Sequence, residues 1–130
     1  MRVLLDTSAY SAFMRGQPDV RHAIQEASEI YLNPIVLGEL HAGFRHGKQR
    51  QKNESELHRL LASPRVNLVD LNVETADRYA VILTALWAAG TPIPTNDIWI
   101  AVSAMQHGLR VLTTDPHFDK VPQVLVGRIT

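Results

Sequence analysis

"NDIWIAVSAMQHGLRVLTTDPHF", residues 96–118, decides how this chain folds. Its first half is apolar on nearly every side, which predicts a helix buried on all faces and stopped at Gly108. "RVLTT" (110–114) then reads as a strand, and Asp115-Pro116 as a turn. A buried helix feeding directly into a strand belongs to a sheet covered by helices. Two acids bracket the unit: Asp97 in the helix's first turn and Asp115 just past the strand.

The rest of the chain repeats this alternation. Strands are predicted at "RVLL" (2–5), "IYL" (30–32), "VNLVDL" (66–71) and "QVLVGR" (123–128). Between them lie helical segments. The first is 7–16, ended by Gly16; the second is 18–29, opened by Pro18 and Asp19. A third runs from Pro34 to Gly47, and a polar one follows over 48–63 with a thin stripe at Leu57, Leu60 and Leu61. From Asn72 to Gly90, residues Ala76, Tyr79, Ala80, Leu83, Leu86 and Trp87 follow the spacing of an amphipathic helix, with Trp87 expected in the core. "TPIPT" (91–95) is a rigid connector. Strands separated by helices give an α/β fold, a three-layer α/β/α sandwich around a parallel sheet of about five strands. At 130 residues, 45% of them hydrophobic, the chain is expected to form a single domain over 1–130.

Composition excludes several classes of function. Formal charge balances at zero, against a protein that coats nucleic acid by bulk electrostatics. With no cysteine there is neither a disulfide framework nor thiolate chemistry. No apolar run reaches membrane-spanning length, and "MRVLLDTSAY" has too short an apolar core for a signal peptide, so a soluble cytoplasmic protein is expected. Six scattered histidines without the H-E-x-x-H spacing disfavour a zinc site. No phosphate-binding glycine loop follows the first strand.

Ligand sites of open parallel sheets form outside the carboxyl ends of strands, where the winding reverses. Asp6 directly follows strand one and Asp115 follows strand four. Asp97 and Glu39 lie on helices whose preceding connections are short, which keeps both near that same edge. Each acid also has a plain structural explanation. Asp6 would serve as a helix cap, although Thr7 and Ser8 are available for that; Asp97 would complement the helix dipole, with Asn96 as the cap; Asp115 would open a turn; Glu39 would face water. Together, four carboxylates at one edge repel one another unless a cation intervenes. Oxygen-only ligands suit a hard divalent ion such as Mg²⁺, bound at roughly 2.1 Å with waters retained. Two such ions about 4 Å apart suit phosphodiester hydrolysis.

The whole chain resembles the PIN-domain ribonucleases, and within them the VapC toxins of toxin–antitoxin pairs. The resemblance rests on "LLDTSAY" (4–10), "ELHAGF" (39–44) and the 96–118 stretch. It implies an acidic quartet of Asp6, Glu39, Asp97 and Asp115 around Mg²⁺ or Mn²⁺, with Thr113 supporting it and Asn96 and Ser8 beside it. Some relatives carry asparagine as the fourth member, where this chain keeps Asp115. Asp119 is a possible fifth acid at no firm motif position. The resemblance further implies structured RNA substrates, such as tRNA anticodon or ribosomal RNA loops, cut to leave a 5′-phosphate and a 3′-hydroxyl. It implies a VapB-type antitoxin partner and a homodimer.

Two other classes fit the sequence less well. A phosphoacceptor signalling domain usually pairs two acids after strand one and places a lysine late in the sheet; here Asp6 stands alone and strand five offers only Arg128. A catalytically dead PIN interaction module is expected to lose an acid, and all four are present. The basic run Arg45, Lys48, Arg50 and Lys52 reads first as a solvated helical face, and second as a phosphate-steering surface.

Overall fold

The short apolar runs at 2–5, 30–32 and 110–113 form the centre of one five-stranded sheet, seen here in a computed structural model that describes residues 1–129. The strands are β1 (Arg2–Leu5), β2 (Glu29–Leu32), β3 (Val66–Leu68), β4 (Arg110–Thr113) and β5 (Leu125–Arg128). Their order across the sheet is β3-β2-β1-β4-β5, and every neighbouring pair is parallel. The helices are α1 (Thr7–Met14), α2 (Pro18–Glu26), α3 (Pro34–His46), α4 (Arg50–Leu61), α5 (Val73–Ala89) and α6 (Thr95–His107), with a short 3₁₀ helix at Pro116–Lys120. Right-handed crossovers place α1 to α4 on one face, because β1, β2 and β3 step in one direction. The step from β3 back to β4 reverses direction and sends α5 and α6 to the other face. The result is an α/β/α sandwich.

Val3, Leu4, Leu5, Leu32, Val111 and Leu112 are essentially solvent-free, as expected of strands covered on both faces. α6 is buried at Ile98, Ile100, Ala101, Val102, Ser103 and Ala104, so its predicted all-round burial holds. Gly90 and Gly108 close α5 and α6 in the left-handed conformation that glycine adopts without penalty.

Some boundaries differ from expectation. β3 stops at Leu68 because the chain must turn toward Asn72, whose side chain caps α5 in a reciprocal box with Thr75. α2 ends at Glu26, which frees Glu29 to enter β2. α5 shows the largest change. Its buried line is Thr75, Ile82 and Leu86, and Trp87 is 64% exposed rather than in the core. The helix carries more apolar surface than α6 and the sheet cover, so the apolar pattern misplaced its stripe. Among the described residues no helix is long and apolar enough to cross a membrane.

Candidate active site

β1 and β4 lie side by side at the point where the winding reverses, with Leu5 in register with Leu112. The two chains therefore leave the sheet together, and the backbone N–H of Asp6 still donates to the carbonyl of Leu112 at 3.2 Å. Asp6 is 4% exposed. It is itself the N-cap of α1: Oδ1 accepts from the Ala9 N–H at 2.8 Å and from the Ser8 hydroxyl at 2.7 Å. Its Oδ2 accepts from the hydroxyl of Thr113, a fully buried residue at the end of β4. Thr7 and Ser8, considered from sequence as alternative caps, do other things. Ser8 Oγ accepts from the Thr114 N–H at 3.0 Å, tying α1 to the end of β4. Thr7 donates its hydroxyl to Glu39 Oε1 at 2.6 Å, bringing α3's acid to the sheet edge.

Thr113 also accepts from the Asp115 N–H at 2.9 Å, so one hydroxyl orients both strand-end acids. Asp115 caps the 3₁₀ helix through the His117 N–H at 2.9 Å. That tight turn folds the His117 ring back over the acids. Its Nδ1 lies 2.7 Å from Asp97 Oδ2 and 3.1 Å from Asp115 Oδ1. A ring nitrogen this close to two carboxylates carries its proton on that side. Phe118, wholly buried, anchors the turn in the core.

α6 begins earlier than its sequence suggested. Thr95 is its first residue and Pro94 its cap, with no side-chain capping bond, so Asn96 does not cap. Instead Asn96 donates its amide to Glu39 Oε2 at 3.3 Å. Asp97 thereby sits in the first turn, aimed at His117.

The electrostatics are those of crowded acids. Burial raises the Asp97 carboxyl above the ordinary aspartate range; the His117 contact opposes this, and the charges of Asp115 and Glu39 raise it further. Burial also raises Asp6, against the bonds from Thr113, Ala9 and Ser8, with Asp97 adding to the rise. Asp97 thus feels each of the other three acids. The ligand atoms of Asp97, Asp115 and His117 lie within 4.8 Å of one another. The two carboxylates of this set fit a divalent cation as hard oxygen donors, and the half-buried Asp97 faces like charges that a cation would offset. Asp6 lies near enough for the Asp97 charge to raise it, and its three accepted bonds leave carboxylate lone-pair capacity with which it could join such a site.

Asp119 is not brought to the cluster; it pairs with Arg128 Nη1 at 2.8 Å. In the basic run, Arg50 and Lys52 form ion pairs with Glu54 and Glu56, respectively, one turn along α4. Two contributors to the site, His117 and Thr7, have no distinctive signal in the sequence. His117 carries no i, i+4 histidine signal; its spacing is D-x-H across a turn, from Asp115 to His117. Thr7 has the local signature of a cap, and its bond to Glu39 spans segments far apart in sequence.

The family model for the PIN domain matches residues 3–124. Among curated relatives, ribonuclease VapC4 of Mycobacterium tuberculosis is 29% identical over 127 residues, covering 96% of this chain and 95% of its own. Ribonuclease VapC1 of Rickettsia felis is 30% identical over 118 residues, covering 87% of this chain and 84% of its own. Among solved structures, VapBC2 from Rickettsia felis, bound to a DNA fragment from its promoter, superposes with a TM-score of 0.88 over 98% of both chains; at 24% identity, that likeness speaks for the fold.

Proposed function

The chain belongs to the PIN-domain family, in its VapC group, and from that premise we propose that it is a ribonuclease toxin: a divalent-metal-dependent endonuclease cutting structured RNA, silenced by a VapB-type antitoxin. The observation that carries this reading is the convergence of Asp97, Asp115 and His117 beside Asp6 and Glu39 at the sheet's switch point. Asp6, Asp97 and Asp115 would hold the cation, Mg²⁺ or Mn²⁺, with Glu39 at the rim. Such an ion, when bound, supplies Lewis-acid activation and charge neutralisation for phosphodiester hydrolysis.

The chain's own residues prepare the site. Thr113 and Ser8 hold Asp6 so that its carboxylate does not reorganise on binding. Asn96 and Thr7 hold Glu39, leaving it placed to accept a proton or orient a water through its carboxylate oxygens. Loops of tRNA or ribosomal RNA are the substrate class, since unstacked bases can reach a shallow protein edge that a duplex cannot. An antitoxin that silences such a site is expected to bring apolar anchors and one basic side chain to the acids, where it replaces the cation's charge. Homodimer formation and action in the cytoplasm belong to the same reading.

The test is cleavage of total RNA with Mg²⁺ or Mn²⁺ against an EDTA control, using wild type and a folded Asp97→Asn variant. Metal-dependent cutting should fall by orders of magnitude in the variant. Near wild-type cleavage by folded Asp97→Asn protein would sink the assignment. If the neighbouring gene's product neither binds nor inhibits, a stand-alone nuclease replaces the toxin reading.

A further inference from the structure

Between α3 and α6 runs an open groove of about 320 Å³, lined by Pro34, Ile35, Gly38, Glu39, Ala42 and Asn96. It shares Glu39 with the acid cluster and lies along the same edge of the molecule. We propose that this groove seats the nucleoside next to the scissile phosphodiester, and that the absent side chain of Gly38 keeps it open. The proposal rests on the nuclease reading above and names the part of the substrate that selects the bond.

An RNA whose phosphate lies at the acids must, by covalent continuity, lay a nucleoside on whatever surface adjoins them. The groove adjoins them, and its volume is in the range of small-ligand sites. Pro34, Ile35 and Ala42 offer an apolar surface to the face of a base. Asn96 gives one amide N–H to Glu39, which leaves its second N–H and its carbonyl oxygen for a base edge. Stacking plus edge bonding is how single-stranded RNA is read.

Gly38 supplies an independent reason. It stands exposed in the interior of α3, where glycine is the poorest helix former after proline. A Cβ built there meets nothing within 4 Å, so no contact within the chain excludes a side chain. What a larger residue would occupy is the groove. Gly43, on the same helix, is equally unobstructed but does not line the groove, which makes it the control.

The experiment uses a randomised single-stranded RNA pool with Mn²⁺ and sequencing of the product ends, for wild type, Gly38→Leu, Gly38→Ala and Gly43→Ala. Melting curves check that each variant is folded. Wild type should show a base preference beside the cut. Gly38→Leu should lose that preference and about tenfold or more in kcat/KM, Gly38→Ala should lose less, and Gly43→Ala should match wild type. Wild-type rate and preference in folded Gly38→Leu overturn the proposal. So does a Gly38→Leu protein that cleaves normally but binds its antitoxin poorly, because the groove then belongs to the protein partner. Should Gly38→Leu not fold, Gly38→Ala decides, an unchanged preference overturning the proposal. If wild type cuts nothing yet binds the labelled pool in EDTA, and Gly38→Leu binds at least about tenfold weaker, the nuclease reading falls and the groove stands.

Discussion

The imidazole Nδ1 of His117 lies 2.7 Å from the carboxylate of Asp97, although the two come from a 3₁₀ turn and from the helix before the preceding strand. It also lies 3.1 Å from Asp115. In the metal-free protein this ring stands between two acids at the place where a cation would bind. His117→Ala should therefore lower the melting temperature in EDTA, by exposing Asp97 and Asp115 to their mutual repulsion. The same variant should gain more than wild type when Mg²⁺ is added, since no ring has to be displaced. Melting curves with and without Mg²⁺ test both statements; an equal Mg²⁺ gain in the two proteins would show that His117 does not compete with the ion.

Asp97→Asn should do the opposite in EDTA. Burial and the charges of Asp115 and Glu39 disfavour the Asp97 carboxylate, and asparagine removes the charge while keeping an acceptor for His117. The expected rise is a few degrees, the shift that about 1 kcal/mol produces in a domain of this size. Mg²⁺ should then stabilise the variant much less than wild type. A fall in EDTA, with equal Mg²⁺ responses, would mean that helix-dipole stabilisation outweighs acid crowding.

The pH dependence follows from the same two acids. Asp6 and Asp97 both have folded-state pKa values raised above the usual 3.8. A raised carboxyl contributes stability that is fully present below its unfolded value and is lost as pH rises through its folded value. The melting-temperature gap between Asp97→Asn and wild type in EDTA should accordingly be widest near neutral pH and close as pH falls toward the ordinary aspartate range. With saturating Mg²⁺ the wild-type trend should reverse, because protons compete with the metal for the carboxylates. A gap independent of pH would contradict the raised value at Asp97.

Thr113→Val tests the hydroxyl shared by Asp6 and Asp115. Valine keeps the shape of this fully buried residue but removes the donor to Asp6 and the acceptor for the Asp115 N–H. Leaving buried polar groups unsatisfied costs roughly 1–3 kcal/mol, so the melting temperature should drop by several degrees and Mg²⁺ affinity should weaken. Thr113→Ser, which retains the hydroxyl, should recover most of both. Equal behaviour of the valine and serine variants would show that the hydroxyl is not what orders the acids.

How much of this was legible beforehand depends on the range of the interaction. The alternation of short apolar strands with helices is a local pattern, and so is the position of Asp6 and Asp115 just past strands, because periodicity and turn chemistry act over a few residues. The five parallel strands and the buried α6 follow from that pattern. Where local pattern failed, competition among neighbours decided. Trp87 fits the apolar spacing of α5, yet it stands 64% exposed because the surfaces packed against that helix cover a different line of residues. Asn96 looked like a cap, but Pro94 starts the helix earlier and turns Asn96 toward Glu39.

The sequence by itself determined which residue types stand at strand ends and helix starts, since those are set by bonds and torsions close along the chain. Only the tertiary structure decided that β1 lies beside β4, that the Thr113 hydroxyl reaches Asp6, that Thr7 holds Glu39, and that His117 folds over Asp97. The first, second and third join segments far apart in sequence, and the last needs a turn anchored by Phe118 in the core. Such contacts depend on how whole layers pack and on single side-chain torsions, and no local pattern of residues encodes either.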